Sequence, residues 1–313
     1  MDELLQMISE INPVFLLGLF LLQTFTLLLV SYQWHFMFKN NEYDISFHEV
    51  FTIHMAGKFV ESVTPSSKFG GETAKVYLFR KKIGRSYQDI VSFLLAHKYI
   101  SLLPFLILSL IFLVTASIQF SLPRLVYISF IAMVLLFVML FALLFWGQKK
   151  YDYESDRSKK HGIFITITDK IKRGIEFLHE SASGVEKILS RAQRNKLFVI
   201  SFLIWILYPI KIYLVAASLN FEIGLLLPII ATYSAYLVSM LPITPGGLGT
   251  FEGTMASIFM ISELSFTEGM TIALLSRSVT FWFPLFLSAI CTTYLVKIED
   301  LTILSMKEAS ESQ

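Results

Sequence analysis

The chain has 313 residues, 55% of them hydrophobic, 29 of them Phe and only 16% charged, with a mean hydropathy of +0.63. A soluble domain carries roughly 25% charged residues, so a soluble globular fold is excluded and an integral membrane protein is expected. The net charge of +2 says little by itself, and no nucleic-acid partner is expected; a single cysteine, Cys291, excludes an intrachain disulfide framework or a zinc cluster.

The first apolar stretch, residues 14–38, follows Asp2, Glu3 and Glu10. It has neither a basic n-region nor a small-residue cleavage site, so a retained helix is expected rather than a cleaved signal. A spanning helix needs about 20 mostly apolar residues. Five stretches meet that length: 14–38, 90–116, 125–146, 197–219 and 270–296. Two more fall short. Phe47–Val63 ends at Thr64-Pro65, and 225–243 ends at Thr244-Pro245. Glycines follow each break, and then a second short helical segment, 72–82 or 252–261. A short helix, a Pro/Gly break and another short helix read as a re-entrant hairpin. Backbone freed at such a break must be buried in protein or line a wet cavity. The alternative is a pair of ordinary kinked spans.

The two hairpins are related. Thr64-Pro65 and Glu72 recur as Thr244-Pro245 and Glu252, at a shift of 180 residues. The same shift lays Phe79 on Phe259, Leu94-Leu95 on Leu274-Leu275, and Pro104 on Pro284. Repeat unit one is 13–116 and unit two 197–297, joined by a linking helix at 123–146 and a loop at 147–196.

Basic residues set the topology. Residues 147–196 hold 12 Lys/Arg against 7 Asp/Glu, and 68–85 adds Lys68, Lys75, Arg80, Lys81, Lys82 and Arg85. Residues 220–266 hold none. Two non-crossing hairpins put both basic regions in the cytoplasm, the N-terminus outside and the C-terminus inside. Three crossings then separate the units, and an odd number inverts the second. The expected fold is an all-α polytopic membrane protein, multi-pass in the plasma membrane. It has five full transmembrane helices plus two re-entrant hairpins in an inverted repeat, with a site between the hairpin tips. Apolar residues at helical spacing between Ile167 and Leu189 predict a basic amphipathic helix on the inner leaflet.

Charges at membrane depth are costly and face a bundle interior or water. In the first hairpin His54, Lys58 and Glu61 share one helix face, with Phe51, Met55 and Phe59 on another. Lys58 and Glu61 are spaced to pair. The functional reading is a polar wall for a lipid headgroup, and the plain one is a solvated interfacial segment. The break TPSSKFGGE carries Pro65, Gly70, Gly71 and Glu72, with Lys68 and Lys75 adding positive charge for a phosphate. The second break, TPGGLGTFE, carries Pro245, Gly246, Gly247, Gly249 and Glu252. Either glutamate also reads as a helix N-terminal charge. Lys98, Lys211 and Arg277 lie inside apolar stretches, to hold phosphate or to pair with Glu61, Glu72 or Glu252. Lys98 and Arg277 can instead snorkel. Trp34, Trp146, Trp205 and Trp282 read as interface anchors or packing. No metalloprotease, P-loop, nucleophile-elbow or dinucleotide motif occurs, so no enzyme activity, metal or cofactor is expected.

The segments TPSSKFGGETAKVYLFRKKIGRS and LPITPGGLGTFEGTMASIF, with Arg277 some 25 residues beyond Glu252, resemble the lysylphosphatidylglycerol synthase transmembrane region. That family is also described as flippase-like or UPF-type, and the likeness covers residues 13–297. Its members often carry Arg where this chain has Ala74-Lys75, and Glu-Arg where it has His97-Lys98. The resemblance implies translocation of an anionic or polyprenyl-phosphate-linked lipid, without the aminoacyl-transferase domain of the synthases. Two other readings stay open. One is an intramembrane transferase acting on a lipid-linked sugar, with Glu72 or Glu252 as its acid or base. The other is a non-catalytic partner of a separate synthase or glycosyltransferase.

Overall fold

A computed structural model describes residues 12–64, 68–145, 181, 187–241 and 244–311. The expected amphipathic helix before Leu189 and the residues Pro65, Ser66, Ser67 and Trp146 lie outside the described residues, apart from Ser181 and Lys187 to Leu189. Among the described residues every regular element is helical. In chain order they are α1 (Pro13–Asn40), α2 (Phe47–Val63), α3 (Lys68–Ile83), α4 (Tyr87–Gln119), α5 (Arg124–Phe145), α6 (Arg191–Ser218), α7 (Leu226–Ser239), a 3-10 turn (Pro245–Gly247), α8 (Thr250–Phe259), α9 (Phe266–Arg277), a π-turn (Ser278–Trp282) and α10 (Phe283–Glu311).

Local chemistry sets the helix starts. Asn12 accepts the Val14 amide and Pro13 opens α1. Ser46 with Glu49, Ser190 with Gln193, and Ser265 with Glu268 form reciprocal capping boxes at α2, α6 and α9. Each satisfies amides that would otherwise be orphaned at a helix end.

Four helices, among the described residues, are long and apolar enough to cross a membrane: Pro13–Asn40, Tyr87–Gln119, Arg191–Ser218 and Phe266–Lys297. Shorter apolar helices occur at Arg124–Met139, within α5, and at Leu226–Ser239. Exposed apolar side chains form long stripes. Val14, Leu17, Leu21, Phe25 and Leu28 run along α1, and Ile128, Ile131, Leu135 and Met139 along α5. Apolar surface of this extent needs a lipid solvent. The opposite face of α1 is polar and buried, with Gln23, Thr26, Ser31 and Gln33 turned inward. Gln33 Nε2 donates to Ser201 Oγ at 2.7 Å, tying α1 to α6.

The short helices pack in two pairs, α2 on α3 and α7 on α8. Lys82 near the end of α3 pairs with Glu49 at the start of α2. In the same pair Gly57 meets Gly71, so α3 folds back along α2. Helix α3 packs on α4 and α8 on α9, while α2 lies against α10 and α7 against α4. Helices α1 and α6 touch each other, and each flanks one pair. One core cluster gathers α1, α2, α3 and α4 around Trp34, Phe38, Phe79 and Phe93. Another gathers α6 to α9 around Ile212, Phe251 and Phe259. Trp34 is fully buried and Trp205 nearly so, which makes both packing residues; Trp282 is exposed.

Candidate functional site

The second break follows α7. Gly246, Gly247 and Gly249 all have positive φ, at 61°, 69° and 81°, a region closed to most side chains. A Cβ on Gly247 would also stand 2.6 Å from Ser239 Cβ. The turn rests against α2 of the first pair, so the two pairs meet at this break. Gly70 and Gly71 serve another purpose. They lie inside helix α3 rather than in a turn. A Cβ on Gly71 would meet the Gly57 carbonyl oxygen and Glu61 Cβ, each at 2.6 Å. Glycine is required there for close helix approach. The expectation of unusual backbone at Gly70-Gly71 is thus corrected, because α3 begins at Lys68.

Glu252 sits in the first turn of α8. Its Oε2 accepts the Gly249 amide at 2.7 Å, and its Oε1 accepts Arg277 Nε at 2.8 Å. Arg277 Nη2 donates to the Gly246 carbonyl at 2.6 Å. The guanidinium lies 4.8 Å from the Phe251 ring centroid and 4.3 Å from that of Phe281. Glu252 and Arg277 are only 5% and 6% exposed. Arg277 therefore does not snorkel. It joins the break to the end of α9, just where the helix widens into the π-turn. Both carboxylate oxygens of Glu252 are engaged.

The first unit has a looser counterpart. Glu72 Oε1 accepts Lys98 Nζ at 2.5 Å. Lys75 Nζ lies 2.9 Å from Oε2, close enough for charge pairing but without hydrogen-bond alignment. Glu72 is in the second turn of α3, so it is a counter-charge to two lysines more than a helix N-terminal charge. Lys98 pairs where snorkelling was the alternative. Its neighbour His97, at the position equivalent to Arg277, is buried with neither ring nitrogen hydrogen-bonded. It stacks on Trp34 at 4.8 Å.

Lys211 is fully buried. Its Nζ donates to Gln23 Oε1 at 2.5 Å and Thr26 Oγ1 at 3.1 Å, and lies 4.1 Å from the Tyr208 ring centroid. The expected pairing with Glu72 or Glu252 does not occur. Those carboxylates are held by Lys75 and Lys98, and by Arg277. Among the described residues the salt bridges include none to Lys211. The expected Lys58–Glu61 pair is also absent from them. Instead Lys58 stands within electrostatic reach of Lys211 and of His54, and Glu61 within reach of Lys98 and Tyr208. His54 is buried with Nδ1 2.8 Å from Ser31 Oγ. Of the α2 stripe, His54 faces α1, Glu61 Cβ lies against Gly71 of α3, and Lys58 is half-buried. Tyr208, Tyr236 and Phe251 form a ring-to-ring path between Lys211 and Arg277. The backbones of Lys68 and Pro245 lie in α3 and the 3-10 turn, with their side chains outside the described residues.

Gln23, Thr26, Ser31, Tyr208 and Trp34 were not anticipated as site residues. Gln23 and Thr26 did carry a signal, since uncharged polar residues at i and i+3 within an apolar helix mark a buried face. Among the described residues no cluster of three or more metal-ligating side chains is present.

The model for the lysylphosphatidylglycerol synthase TM region matches residues 1–288. The chain is similar to a UPF0104 membrane protein of Methanothermobacter thermautotrophicus, 25% identical over 295 residues, covering 90% of this chain and 85% of the relative. It is similar to UPF0104 membrane proteins of Pyrococcus horikoshii, at 22% identity over 92% of this chain and 89% of the relative, and of Methanocaldococcus jannaschii, at 23% over 93% and 87%. No solved structure matches the chain. A family match over nearly the whole length, joined to apolar spanning helices that enclose paired charges, settles the family: the chain is a membrane protein of the lysylphosphatidylglycerol synthase TM region family.

Proposed function

We propose that the protein moves an anionic phospholipid or a polyprenyl-phosphate-linked lipid between the leaflets of the plasma membrane. The observation that carries this reading is Lys211, a fully buried lysine whose hydrogen-bond partners are all uncharged. A buried charge without a counter-charge is strongly unfavourable. An arriving phosphate supplies the missing negative charge, and Lys58 adds to the attraction.

The architecture of this reading is an inverted repeat. Helix α2 has 17 residues and α7 has 14, about 26 and 21 Å at a rise of ~1.5 Å per residue. Both fall short of the roughly 30 Å hydrocarbon core. As re-entrant hairpins, α2–α3 enters from the cytoplasm and α7–α8 from outside. Helix α5 is the fifth crossing. The packing pattern is consistent with this plan: exchanging the units turns α2 on α10 into α7 on α4, and α3 on α4 into α8 on α9. Lys58, Glu61, Lys68, Glu72, Lys75, Lys98 and Lys211 then receive the headgroup. Gly246, Gly247 and Gly249 shape the second break, and Arg277 with Glu252 fixes it. Movement of one unit against the other alternates access. The transferase alternative is weakened, because Glu252 has both oxygens occupied and is not a free base.

The test is reconstitution in liposomes with fluorescent phosphatidylglycerol, scored by quenching of the outer leaflet. Headgroup-selective transfer that falls at least about tenfold in Lys211→Met, the loss of one charged contact, is the expected result. Transfer indistinguishable from empty liposomes overturns the reading.

A further inference from the structure

The two units carry related acid–base pairs, but their chemistry is unequal. In unit two the pair is closed. Glu252 spends one oxygen on Arg277 and the other on the Gly249 amide, and Arg277 spends its remaining reach on the Gly246 carbonyl and two phenyl rings. The set is neutral and sealed. In unit one a single carboxylate, Glu72, faces two ammonium groups, Lys75 and Lys98. These three side chains sum to one positive charge, with Glu61 of α2 the next carboxylate near Lys98. The Lys98 side chain keeps 33% of its surface exposed, so the cluster reaches the surface at that lysine.

Hydrogen-bond accounting sharpens the contrast. Buried polar groups are nearly always satisfied, and exceptions call for an explanation. Trp34 Nε1 and both ring nitrogens of His97 are buried without partners. The two rings are stacked 4.8 Å apart, and Lys75 Nζ lies 5.9 Å from the Trp34 ring. An indole offers only a donor, and an ammonium has three protons to give. Lys98 has one protein acceptor, Glu72 Oε1. The cluster is thus rich in unused donors beside two ammonium groups. Its natural complement is a small group of oxygen acceptors with negative charge.

We propose that the cluster of Trp34, Glu72, Lys75, His97 and Lys98 binds the phosphate group of a lipid headgroup, and that the pair in unit two is a structural clamp with no ligand role. This rests on the lipid reading above and deepens it by adding to Lys211 a second phosphate contact in unit one. The open pair of unit one contacts the headgroup, and the sealed pair of unit two holds its break rigid.

The test uses the full chain in detergent micelles, titrated calorimetrically with dioctanoylphosphatidylglycerol and, as a phosphate-free control, dioctanoylglycerol. His97→Phe is the informative variant. It keeps a ring to stack on Trp34 and removes two unsatisfied nitrogens, so its Tm should equal or exceed that of the parent. Phosphatidylglycerol binding should nonetheless weaken about tenfold, the loss of one charge-assisted bond, and Lys98→Gln should weaken it by at least as much. Binding within about twofold of the parent in both variants, an effect below RT, overturns the site. So does a larger loss in Arg277→Gln than in Lys98→Gln at equal folded fraction. Inorganic phosphate that outcompetes the lipid overturns the assignment to a headgroup. Headgroup-selective transfer in liposomes that survives both substitutions removes this site and leaves the lipid reading intact; intact, substitution-sensitive binding without any transfer does the reverse.

Discussion

Lys211 and Arg277 are both buried basic residues, and their surroundings give them opposite roles. Arg277 is neutralised by Glu252 and stacked between rings. Truncating one partner of such a pair leaves the other charge stranded, at a cost of about 3–5 kcal/mol. Arg277→Gln should therefore lower the Tm sharply, and Arg277→Gln with Glu252→Gln should recover part of the loss, as read by thermal unfolding in detergent. Lys211 has only Gln23, Thr26 and the Tyr208 ring. Its removal relieves an uncompensated charge, so Lys211→Met should raise the Tm while lowering lipid transfer. Residues that destabilise a fold and support its activity behave in this way. A lower Tm together with unchanged transfer would make Lys211 merely structural. The Glu252–Arg277 link was open to reading, because two charges 25 residues apart in apolar surroundings need each other. The neighbouring partner in unit one was less so. The repeat aligns Arg277 with His97, yet Lys98 reaches Glu72. One residue turns a helix by about 100°, and only a long side chain such as lysine spans that difference. Gln23 and Thr26 were missed because attention to charge passes over amides and hydroxyls.

At the scale of an element, the α2–α3 pair depends on glycine for contact rather than for turning. A methyl group on Gly71 would collide with main-chain and Cβ atoms of α2, none of which can swing aside. Gly71→Ala should therefore push α3 away from α2, displace Glu72 and Lys75, and cost about 1–3 kcal/mol as overpacking does. Gly57→Ala would strike Lys75 Cγ and the Gly71 carbonyl, so it should disturb the same lysine. Gly253 is the control, with open space around it in α8. Gly253→Ala should be neutral or stabilising by about 0.5–1 kcal/mol. Equal Tm values for Gly71→Ala and Gly253→Ala would refute close helix contact as the reason for Gly71. The helix bounds of α2 were readable to the residue, because Ser46 and Glu49 form its cap and a Thr-Pro step ends it. The π-turn after Arg277 was not. Hydrophobic spacing over 270–296 fits one continuous span, and a single extra residue per turn does not disturb that average. The turn precedes Pro284, which has no amide to give to the helix.

For the whole molecule, the distribution of basic residues and the packing of the two units lead to one sidedness, which can be measured. Cationic loops stay in the cytoplasm. The loop between α3 and α4 contains Arg85 and follows Arg80, Lys81 and Lys82. The loops between α4 and α5 and between α6 and α7 contain Ser121 and Glu222, and both residues are exposed. If α2–α3 is a hairpin that does not cross, Arg85 lies on the same side as the end of α1, and α4 then carries the chain to the opposite side at Ser121. Helices α5 and α6 return it to that same outer side at Glu222. In a Cys291→Ser background, Arg85→Cys should react with a membrane-impermeant maleimide only in inside-out vesicles. Ser121→Cys and Glu222→Cys should react only in right-side-out vesicles. Were α2 and α3 together to cross an odd number of times, Arg85 and the end of α1 would face opposite sides. A Lys39→Cys variant, at the exposed end of α1, therefore decides the matter. Labelling of Lys39→Cys and Arg85→Cys from the same side supports the re-entrant hairpin and the inversion of the second unit. Labelling from opposite sides removes both, and with them the shared chamber into which Lys58, Lys98 and Lys211 are taken to face.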